Sequence, residues 1–221
     1  FTALPFTVWS KYGIVKMKFN LVKIFPQPIL QTKLIIEPEW MKHINSIKYM
    51  RNVHNNGYVS TDFKILNTKK LKTLKSKINN VIKKYTEDYL KISNKFKITC
   101  SWVMKHVKND FAQTHVHHNS IISGCLYLQT KKGVGDLIFD REGTRHNFLS
   151  ETFAFDRIEN TDLNAPQLLF NTDPGVLYVF PSNLSHYTLP MPFDNYERIC
   201  LVFDTFITGS MGAETTRLEI K

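Results

Sequence analysis

The chain has 221 residues, of which 43% are hydrophobic and 13% aromatic, so it can bury the core of one ordinary domain. This composition excludes a disordered or fibrous protein, and no apolar stretch approaches the ~20 residues that a membrane-spanning helix needs. Twenty-nine Lys and Arg against 19 Asp and Glu give a net charge of +10, which invites nucleic-acid binding. Only six of these cations are arginines, and lysines on a helix surface are usually solvated, so nucleic acid is not the favoured partner.

The beginning of the chain shows no sign of a signal peptide, because no charged segment precedes an apolar one and no small-residue cleavage site follows. Met17-Lys18-Phe19 resembles a natural start, so we interpret residues 1–16 as an N-terminal extension and leave its membership of the core open. Residues 17–221 are predicted to form a single domain, with a helical part at about 39–92 and a β core at about 96–206.

Two amphipathic helices are predicted in the first half of the chain. The first covers Glu39–Arg51, where apolar residues recur at steps of three and four. The second runs from about Asn67 to Leu90 and has the clearest helical period in the sequence, with apolar residues on one face and lysines on the other. We interpret it as a helix packed on a sheet.

After Asn94 the sequence becomes strand-like, with short runs rich in Ile, Val, Phe, Tyr and Leu that are separated by turn residues. Strands are predicted over Phe96–Lys105, Ile121–Thr130, Asp136–Asp140, Gly175–Phe180 and Arg198–Phe206. Short strands with tight turns favour an antiparallel sandwich or barrel over a parallel sheet. The stretch Glu142–Asn171 is less regular and is predicted to be a long loop or insertion.

The cysteines Cys100, Cys125 and Cys200 are widely spaced, and each lies inside an apolar run. This pattern fits neither a disulfide framework nor the usual spacing of zinc ligands. We therefore predict three buried, reduced cysteines and a cytoplasmic location.

Histidines are the first candidates for chemistry. His115 and His117 would project from one face of a strand, about 6 to 7 Å apart at Cα, which lets two imidazoles bind one ion. His186, which follows an apolar strand, could complete a facial set, whereas His118 would point away. The alternative is that this cluster is only a polar strand end. The other histidines are interpreted as surface or structural residues: His43, His54, His106 and His146.

Arg198 opens an apolar strand, and a guanidinium inside such a sheet needs a buried anion partner because its desolvation is costly. Its planar fork suits a carboxylate. The alternative is an exposed arginine that simply follows the turn at Asn195-Tyr196-Glu197.

These residues resemble the 2-oxoglutarate and Fe(II)-dependent oxygenase superfamily, and are most similar to a group of short oxygenases distantly related to prolyl 4-hydroxylases. The similarity covers roughly Met17 to the C-terminus, and the order and spacing of several segments carry it. Those segments are Ile24-Phe25-Pro26-x-Pro28, His115-x-His117-x-Asn119-Ser120, Ser123 to Leu128, Gly135 to Asp140, Phe180-Pro181-Ser182-x-x-x-His186 and Arg198-Ile199.

The resemblance implies a fold of mainly β structure with some α: a double-stranded β-helix of the jelly-roll or cupin-like barrel type, with N-terminal helices packed on one sheet. It also implies an oxidoreductase, a dioxygenase that uses Fe(II), O2 and 2-oxoglutarate as cosubstrate. By position, His115, His117 and His186 match the metal ligands and catalytic residues. Arg198 matches the residue that binds the far carboxylate of 2-oxoglutarate, with Tyr127 as a second contact. Gly135-Asp136-Leu137 matches structural sheet positions, with no chemistry assigned.

One position departs from the superfamily's commonest pattern, in which two histidines and one carboxylate hold the metal. Here His117 stands where the carboxylate is expected, so three neutral ligands would hold the ion and zinc becomes an alternative to iron. Asp110, Asp136 or Asp140 could supply a carboxylate from elsewhere, although none has the expected spacing.

Three functions therefore compete. The favoured one is a hydroxylase of a protein side chain or small molecule, with substrate and oligomeric state unassigned and no membrane partner. The second is a non-catalytic or zinc-binding cupin-like module, favoured by His117. The third is a nucleic-acid-directed oxygenase, motivated by the net charge and by the lysines of residues 69–84. Substrate choice is expected to depend on loops around the barrel mouth, at Arg51–Asp62 and Glu142–Asn171.

Overall fold

The computed structural model describes residues 5–10, 13–23, 26–52, 56–141 and 156–220. The helices are α1 (Pro38–Ser46) and α2 (Lys72–Lys83), with 3-10 turns at Ile65–Asn67, Lys69–Leu71 and Glu214–Thr216 and a π-helical turn at Lys84–Tyr89. The strands are β1 (Pro5–Ser10), β2 (Gly13–Lys18), β3 (Leu30–Lys33), β4 (Tyr49–Arg51), β5 (Tyr58–Ser60), β6 (Lys95–His106), β7 (Ile122–Gln129), β8 (Leu137–Asp140), β9 (Gln167–Phe170), β10 (Val176–Pro181), β11 (His186–Thr188), β12 (Arg198–Met211) and β13 (Leu218–Ile220).

The strands form a large sheet and a small one. The large sheet has the order β3-β10-β7-β12-β6-β5-β4, with β13 pairing the end of β12, and the small sheet has the order β11-β8-β9. Strands β1 and β2 pair with each other as a hairpin. Every pair of named strands in the described residues is antiparallel, as the sequence predicts. This arrangement of two facing sheets is the predicted double-stranded β-helix.

Strands β7 and β10 of the large sheet are buried on both faces, and their successive residues pack into different cores. In β7, Leu126 and Leu128 pack against the helical side, in a cluster that includes Leu74 and Ile78 of α2. Tyr127 points the other way, into a cluster shared with the small sheet. Two-sided burial explains why these strands read as nearly unbroken apolar runs, and it leaves the space between the sheets as the place for a site.

The second predicted helix is confirmed in type, since the 3-10 turn, α2 and the π-helical turn run continuously from Lys69 to Tyr89. Its lysines are partly neutralised by neighbouring carboxylates. The pairs are Lys77 with Glu37 at 2.7 Å, Lys83 with Glu87 at 3.7 Å and Lys84 with Asp88 at 3.1 Å. These ion pairs weaken the case for a nucleic-acid surface on this helix.

The first predicted helix is too long. Helix α1 ends at Ser46, and Tyr49–Arg51 forms β4 instead, paired with β5. The backbone turns extended at Ile47, and the Tyr49 hydroxyl donates to the Ile44 carbonyl at 2.8 Å, which satisfies an acceptor at the helix end. The spacing of apolar residues in this short stretch is compatible with a helix or a strand. Pairing with β5 makes Tyr49–Arg51 a strand.

Two further expectations are corrected. Strand β9 lies inside the stretch predicted as a loop, where it pairs with β8 at the edge of the small sheet.

Cys100 is exposed, whereas Cys125 and Cys200 are buried as predicted, and all three are free thiols. No helix in the described ranges is both long and apolar enough to cross a membrane. The predictions for His54, His146, Ile24-Phe25 and residues 142–155 lie outside the described residues.

Candidate active site

The three predicted ligand histidines meet at one end of the space between the sheets. His115 and His186 form an isolated antiparallel bridge, with each amide donating to the other's carbonyl at 3.0 Å. The amide of His117 donates to the Ser182 carbonyl at 2.9 Å, which ties the same segment to the end of β10. The expectation of a regular strand here is wrong, because only His115 makes a ladder contact, and His118 is exposed.

The imidazole rings are close enough to share an ion. One ring nitrogen from each of the three histidines lies within 4.8 Å of the others. Nε2 of His117 and Nε2 of His186 are 3.3 Å apart, and their rings are stacked at 6°. Two nitrogens bound to one ion at about 2.0 to 2.1 Å cannot be more than about 4.2 Å apart, so this pair fits without movement and His115 needs only a small ring displacement.

The outer nitrogen of each ring is already engaged. Each Nδ1 lies against an acceptor: Gln113 O at 2.6 Å for His115, Asp204 Oδ1 at 2.8 Å for His117 and Leu184 O at 2.9 Å for His186. Carbonyl and carboxylate oxygens only accept, so each Nδ1 carries the proton and each Nε2 keeps its lone pair. Facing lone pairs 3.3 Å apart repel unless a cation lies between them, and this donor set therefore fits a divalent metal.

Burial keeps the rings of His115 and His186 neutral. Desolvation, reinforced by the neighbouring His115 and His117, lowers the pKa of His186 to about 3. Desolvation also lowers the pKa of His115. Metal binding requires unprotonated imidazole, so these two rings are ready to bind at neutral pH.

The histidines line a cavity of about 70 Å³ whose other walls are largely apolar. Trp102 stacks on the ring of His117 with centroids 5.8 Å apart, and Phe180 meets the ring of His186 edge-on at 4.9 Å. Leu137, Met104 and Val202 add further apolar surface. Such walls exclude water and hold the rings in place.

Arg198 lies in the same cavity and is 1% exposed, so the alternative of an exposed arginine after a turn is wrong. Its guanidinium donates to four neutral groups: the carbonyls of Val134 (3.1 Å) and Gly135, the Thr188 hydroxyl (2.8 Å) and Nδ1 of His106 (3.0 Å). Its Nε has no hydrogen-bond partner among the described residues. No carboxylate in the described part of the chain pairs with this buried cation, which leaves it able to attract an anionic ligand.

Tyr127 is 2% exposed and also lines the cavity, from β7 beside Arg198. Burial, with the neighbouring Cys125 and Cys200, raises the pKa of Tyr127 well above its ordinary value. Its hydroxyl therefore stays protonated, and it shares a hydrogen bond with the side chain of Cys125.

Two residues that support Arg198 were not expected from the sequence. His106 was interpreted as a surface or structural histidine outside any constellation, yet it is buried, lines the cavity and accepts a hydrogen bond from Arg198. Gly135 was assigned no chemistry, yet its carbonyl accepts from Arg198 and a Cβ there would lie 2.8 Å from Nη1. Strands β6 and β12 pair with His106 directly opposite Arg198. A correct prediction of this strand register would therefore have identified His106 as a neighbour of Arg198.

A third unexpected residue is Asp204, which contacts His117 from β12. Asp204 also accepts a 2.6 Å hydrogen bond from Ser123. The proposed alternative carboxylates play no such part: Asp110 pairs with Arg51 at 2.8 Å, and neither Asp136 nor Asp140 joins the histidine cluster.

Residues 100–204 match the model of a family described as "Putative 2OG-Fe(II) oxygenase". This segment contains the three clustered histidines, Tyr127, Arg198 and Asp204. No curated protein matches the sequence.

Solved structures share the fold at low sequence identity. An oxidoreductase of the 2OG-Fe(II) oxygenase family from Burkholderia pseudomallei has a TM-score of 0.55 at 13% identity, covering 80% of this chain and 83% of its own. HygX from Streptomyces hygroscopicus, solved with nickel, 2-oxoglutarate and hygromycin B bound, has a TM-score of 0.59 at 10% identity, covering 81% and 82%. A Pseudomonas putida prolyl-4-hydroxylase has a TM-score of 0.50 at 12% identity, covering 82% and 92%.

The solved structures show that this chain has the fold of 2-oxoglutarate- and Fe(II)-dependent oxygenases. The segment that matches the family model, residues 100–204, contains a histidine cluster that could hold a metal ion. The resemblance stated from the sequence is confirmed over that segment.

Proposed function

We propose that this protein is a hydroxylase in which His115, His117 and His186 bind Fe(II) and Arg198 binds the far carboxylate of 2-oxoglutarate. The observation that carries the proposal is that one cavity contains both a cluster of metal-binding side chains and a buried cation. Three unengaged imidazole nitrogens require a cation, and a buried guanidinium with only neutral partners requires an anion. A metal and a dicarboxylate together satisfy both.

The residues of the chain would position the cosubstrate. Arg198 is held by Thr188 and His106 on one side and by the loop carbonyls on the other, so its fork is fixed before a ligand arrives. The Tyr127 hydroxyl would donate a second hydrogen bond to the same carboxylate. The bound Fe(II), with 2-oxoglutarate and O2, supplies the oxidising chemistry, and the apolar walls exclude water from it.

The substrate class is proposed as a protein side chain or a small molecule. The structurally similar proteins include both a prolyl-4-hydroxylase and HygX with hygromycin B bound. We further propose that residues 17–221 act as one domain, with residues 1–16 as an extension. A reducing cytoplasm is proposed as its location, supported by three free thiols.

The test is aerobic turnover of 2-oxoglutarate by purified protein with added Fe(II), measured as succinate formed. Wild type and a His118→Ala control, altered at an exposed histidine, should be active, whereas His186→Ala should not. An active His186→Ala protein would contradict the assignment of the metal ligands.

A second candidate, a metal-binding module without oxygenase activity, is favoured by one observation. No carboxylate joins the three-histidine group in the described residues, so the site also suits zinc. Metal analysis of the purified protein and calorimetric titration with 2-oxoglutarate separate the two. Bound zinc with no 2-oxoglutarate binding favours the module, and 2-oxoglutarate binding that requires Arg198 favours the oxygenase.

A further inference from the structure

We infer that Asp204 is a positioning residue for the metal centre, which supplies through His117 the negative charge that the three-histidine set lacks. The inference rests on the proposed function, because it assumes that His117 binds the metal. Its basis is the 2.8 Å contact between Asp204 Oδ1 and Nδ1 of His117, on the side of the ring opposite the clustered Nε2 atoms.

The contact differs in kind from those of the other two rings. His115 and His186 each donate to a neutral backbone carbonyl, and His117 alone of the three donates to a carboxylate. A carboxylate that accepts the outer proton raises the electron density on the far nitrogen, since the ring gains imidazolate character. His117 is therefore the strongest donor of the three toward a metal.

The charge balance explains why this position is special. A divalent ion held by two histidines and one carboxylate has a net charge of about +1 in its first shell, whereas three neutral imidazoles leave about +2. The negative charge of Asp204, which is hydrogen-bonded to His117, brings the net charge of the ion and its surroundings back to about +1. His117 stands at the position where the superfamily usually has a carboxylate, and it is the histidine that contacts the carboxylate of Asp204.

A buried hydroxyl network holds Asp204 in place. Ser123 donates to Asp204 Oδ1 at 2.6 Å, and its oxygen lies 2.7 Å from the hydroxyl of Ser182. Ser182 in turn contacts Ser120 at 2.7 Å, and Ser120 reaches the carbonyls of Ile122 and Thr205 at 3.2 Å. Each hydroxyl has one proton: Ser120 donates to a backbone carbonyl, Ser182 donates to Ser120, and Ser123 donates to the carboxylate of Asp204.

The network also gives a role to Ser123 and Ser182, which lie in two of the segments that carry the resemblance. Ser123 and Ser182 are 0% and 1% exposed, so their hydroxyls are shielded from water. Asp204 itself lies on β12, between β6 and β7, in the middle of the large sheet. Its carboxylate is therefore held by rigid elements, as a group that orients a metal ligand needs to be.

The experiment measures metal affinity and the spectrum of the bound ion. Wild type, Asp204→Asn, Asp204→Glu and Ser123→Ala proteins are titrated with Co(II) in competition with a chelator, and the visible absorption of bound Co(II) is recorded. We expect Asp204→Asn to bind Co(II) about 10- to 100-fold more weakly, with a shifted spectrum, and Asp204→Glu to recover part of the affinity. Ser123→Ala, which keeps the carboxylate, should show a smaller loss of the same sign.

Asp110→Asn is the matched control, because it also neutralises a buried carboxylate but one that pairs with Arg51 away from the histidines. It should lower the melting temperature of the metal-free protein and leave Co(II) affinity unchanged. The inference is overturned if Asp204→Asn and Ser123→Ala bind Co(II) within twofold of wild type with unshifted spectra, while His117→Ala still abolishes binding. If wild type binds Co(II) independently of the histidines, the proposed function itself fails.

Discussion

Nη2 of Arg198 lies 3.0 Å from Nδ1 of His106, so a permanently charged guanidinium and an imidazole share a hydrogen bond inside the protein. Arg only donates, hence this Nδ1 must be the unprotonated acceptor. The pair stands directly opposite in register on β6 and β12. The described part of the chain places no carboxylate beside this guanidinium, and this supports the proposal that it binds an anionic ligand.

Replacing Arg198 by Met should separate binding from folding. We expect the dissociation constant for 2-oxoglutarate to rise by at least about 30-fold, since one partner of a buried charge pair is removed. The metal-free protein should be close to wild type in stability, because the loss of a buried cation without a carboxylate partner offsets the loss of the hydrogen bonds that the guanidinium donates. Calorimetric titration and thermal unfolding measure the two effects.

The control for this variant is Arg51→Met, which removes the partner of buried Asp110. That change should lower the stability of the protein and leave 2-oxoglutarate affinity as it was. A large fall in stability for Arg198→Met with unchanged 2-oxoglutarate binding would show that the guanidinium is structural.

His106→Ala tests the support of the guanidinium. Loss of the acceptor leaves Nη2 with one fewer buried partner, which costs about 1 to 3 kcal/mol of unfolding free energy. The looser guanidinium should also bind 2-oxoglutarate more weakly. Denaturant unfolding and 2-oxoglutarate titration are the measurements, and His118→Ala, at an exposed position, should change neither.

Gly135→Ala should be strongly destabilising for a reason specific to its surroundings. The residue has φ +68°, and an added Cβ would lie 2.3 Å from the Leu189 carbonyl oxygen and 2.8 Å from Arg198 Nη1. Gly209 also has a positive φ, +83°, but has nothing within 4 Å, so Gly209→Ala is the matched control with backbone strain alone. The melting temperature should fall further for Gly135→Ala, and only that variant should lose 2-oxoglutarate affinity.

The metal-free protein should lose stability as the pH falls from 7 to 5. An unfolded histidine has a pKa near 6.5, whereas burial lowers the pKa of His186 to about 3 in the folded protein. Between these values the unfolded state binds more protons, so the unfolding free energy decreases with decreasing pH, by on the order of 2 kcal/mol at pH 5. His115, whose pKa is also lowered, adds to the effect.

Urea unfolding at a series of pH values measures this dependence. His186→Gln should flatten it, because the buried titrating ring is gone, and His118→Gln should keep the wild-type slope. An identical slope in wild type and His186→Gln would contradict the burial of a neutral ring.

The sequence predicted the order of elements well where two independent signals agreed. Strands β6, β7, β10 and β12 were expected because their apolar runs are bounded by turn residues, and the double-stranded β-helix followed from the resemblance. The division between helix and strand near Tyr49 was not predictable from local spacing, because pairing with a distant strand decides it.

The residues of the site that the sequence predicted are the three histidines, Arg198 and Tyr127, and all five line one cavity. His115, His117 and His186 stand out by residue type, and the structure brings them together. His106 and Asp204 do not stand out, because their roles depend on strand register and on which face of the sheet they occupy. The carbonyl of Gly135 accepts a hydrogen bond from Arg198, and a backbone contact of this kind cannot be predicted from residue type.

Strand β12 contributes to both ends of the site, with Arg198 at its start and Asp204 six positions later. The span between them is about 20 Å at the usual rise of a strand, and both side chains occupy positions of the same parity. An inserted or deleted residue between them would turn one of the two toward the helices. The number of residues between Arg198 and Asp204 is therefore fixed by the need to keep both side chains on the same face of the sheet.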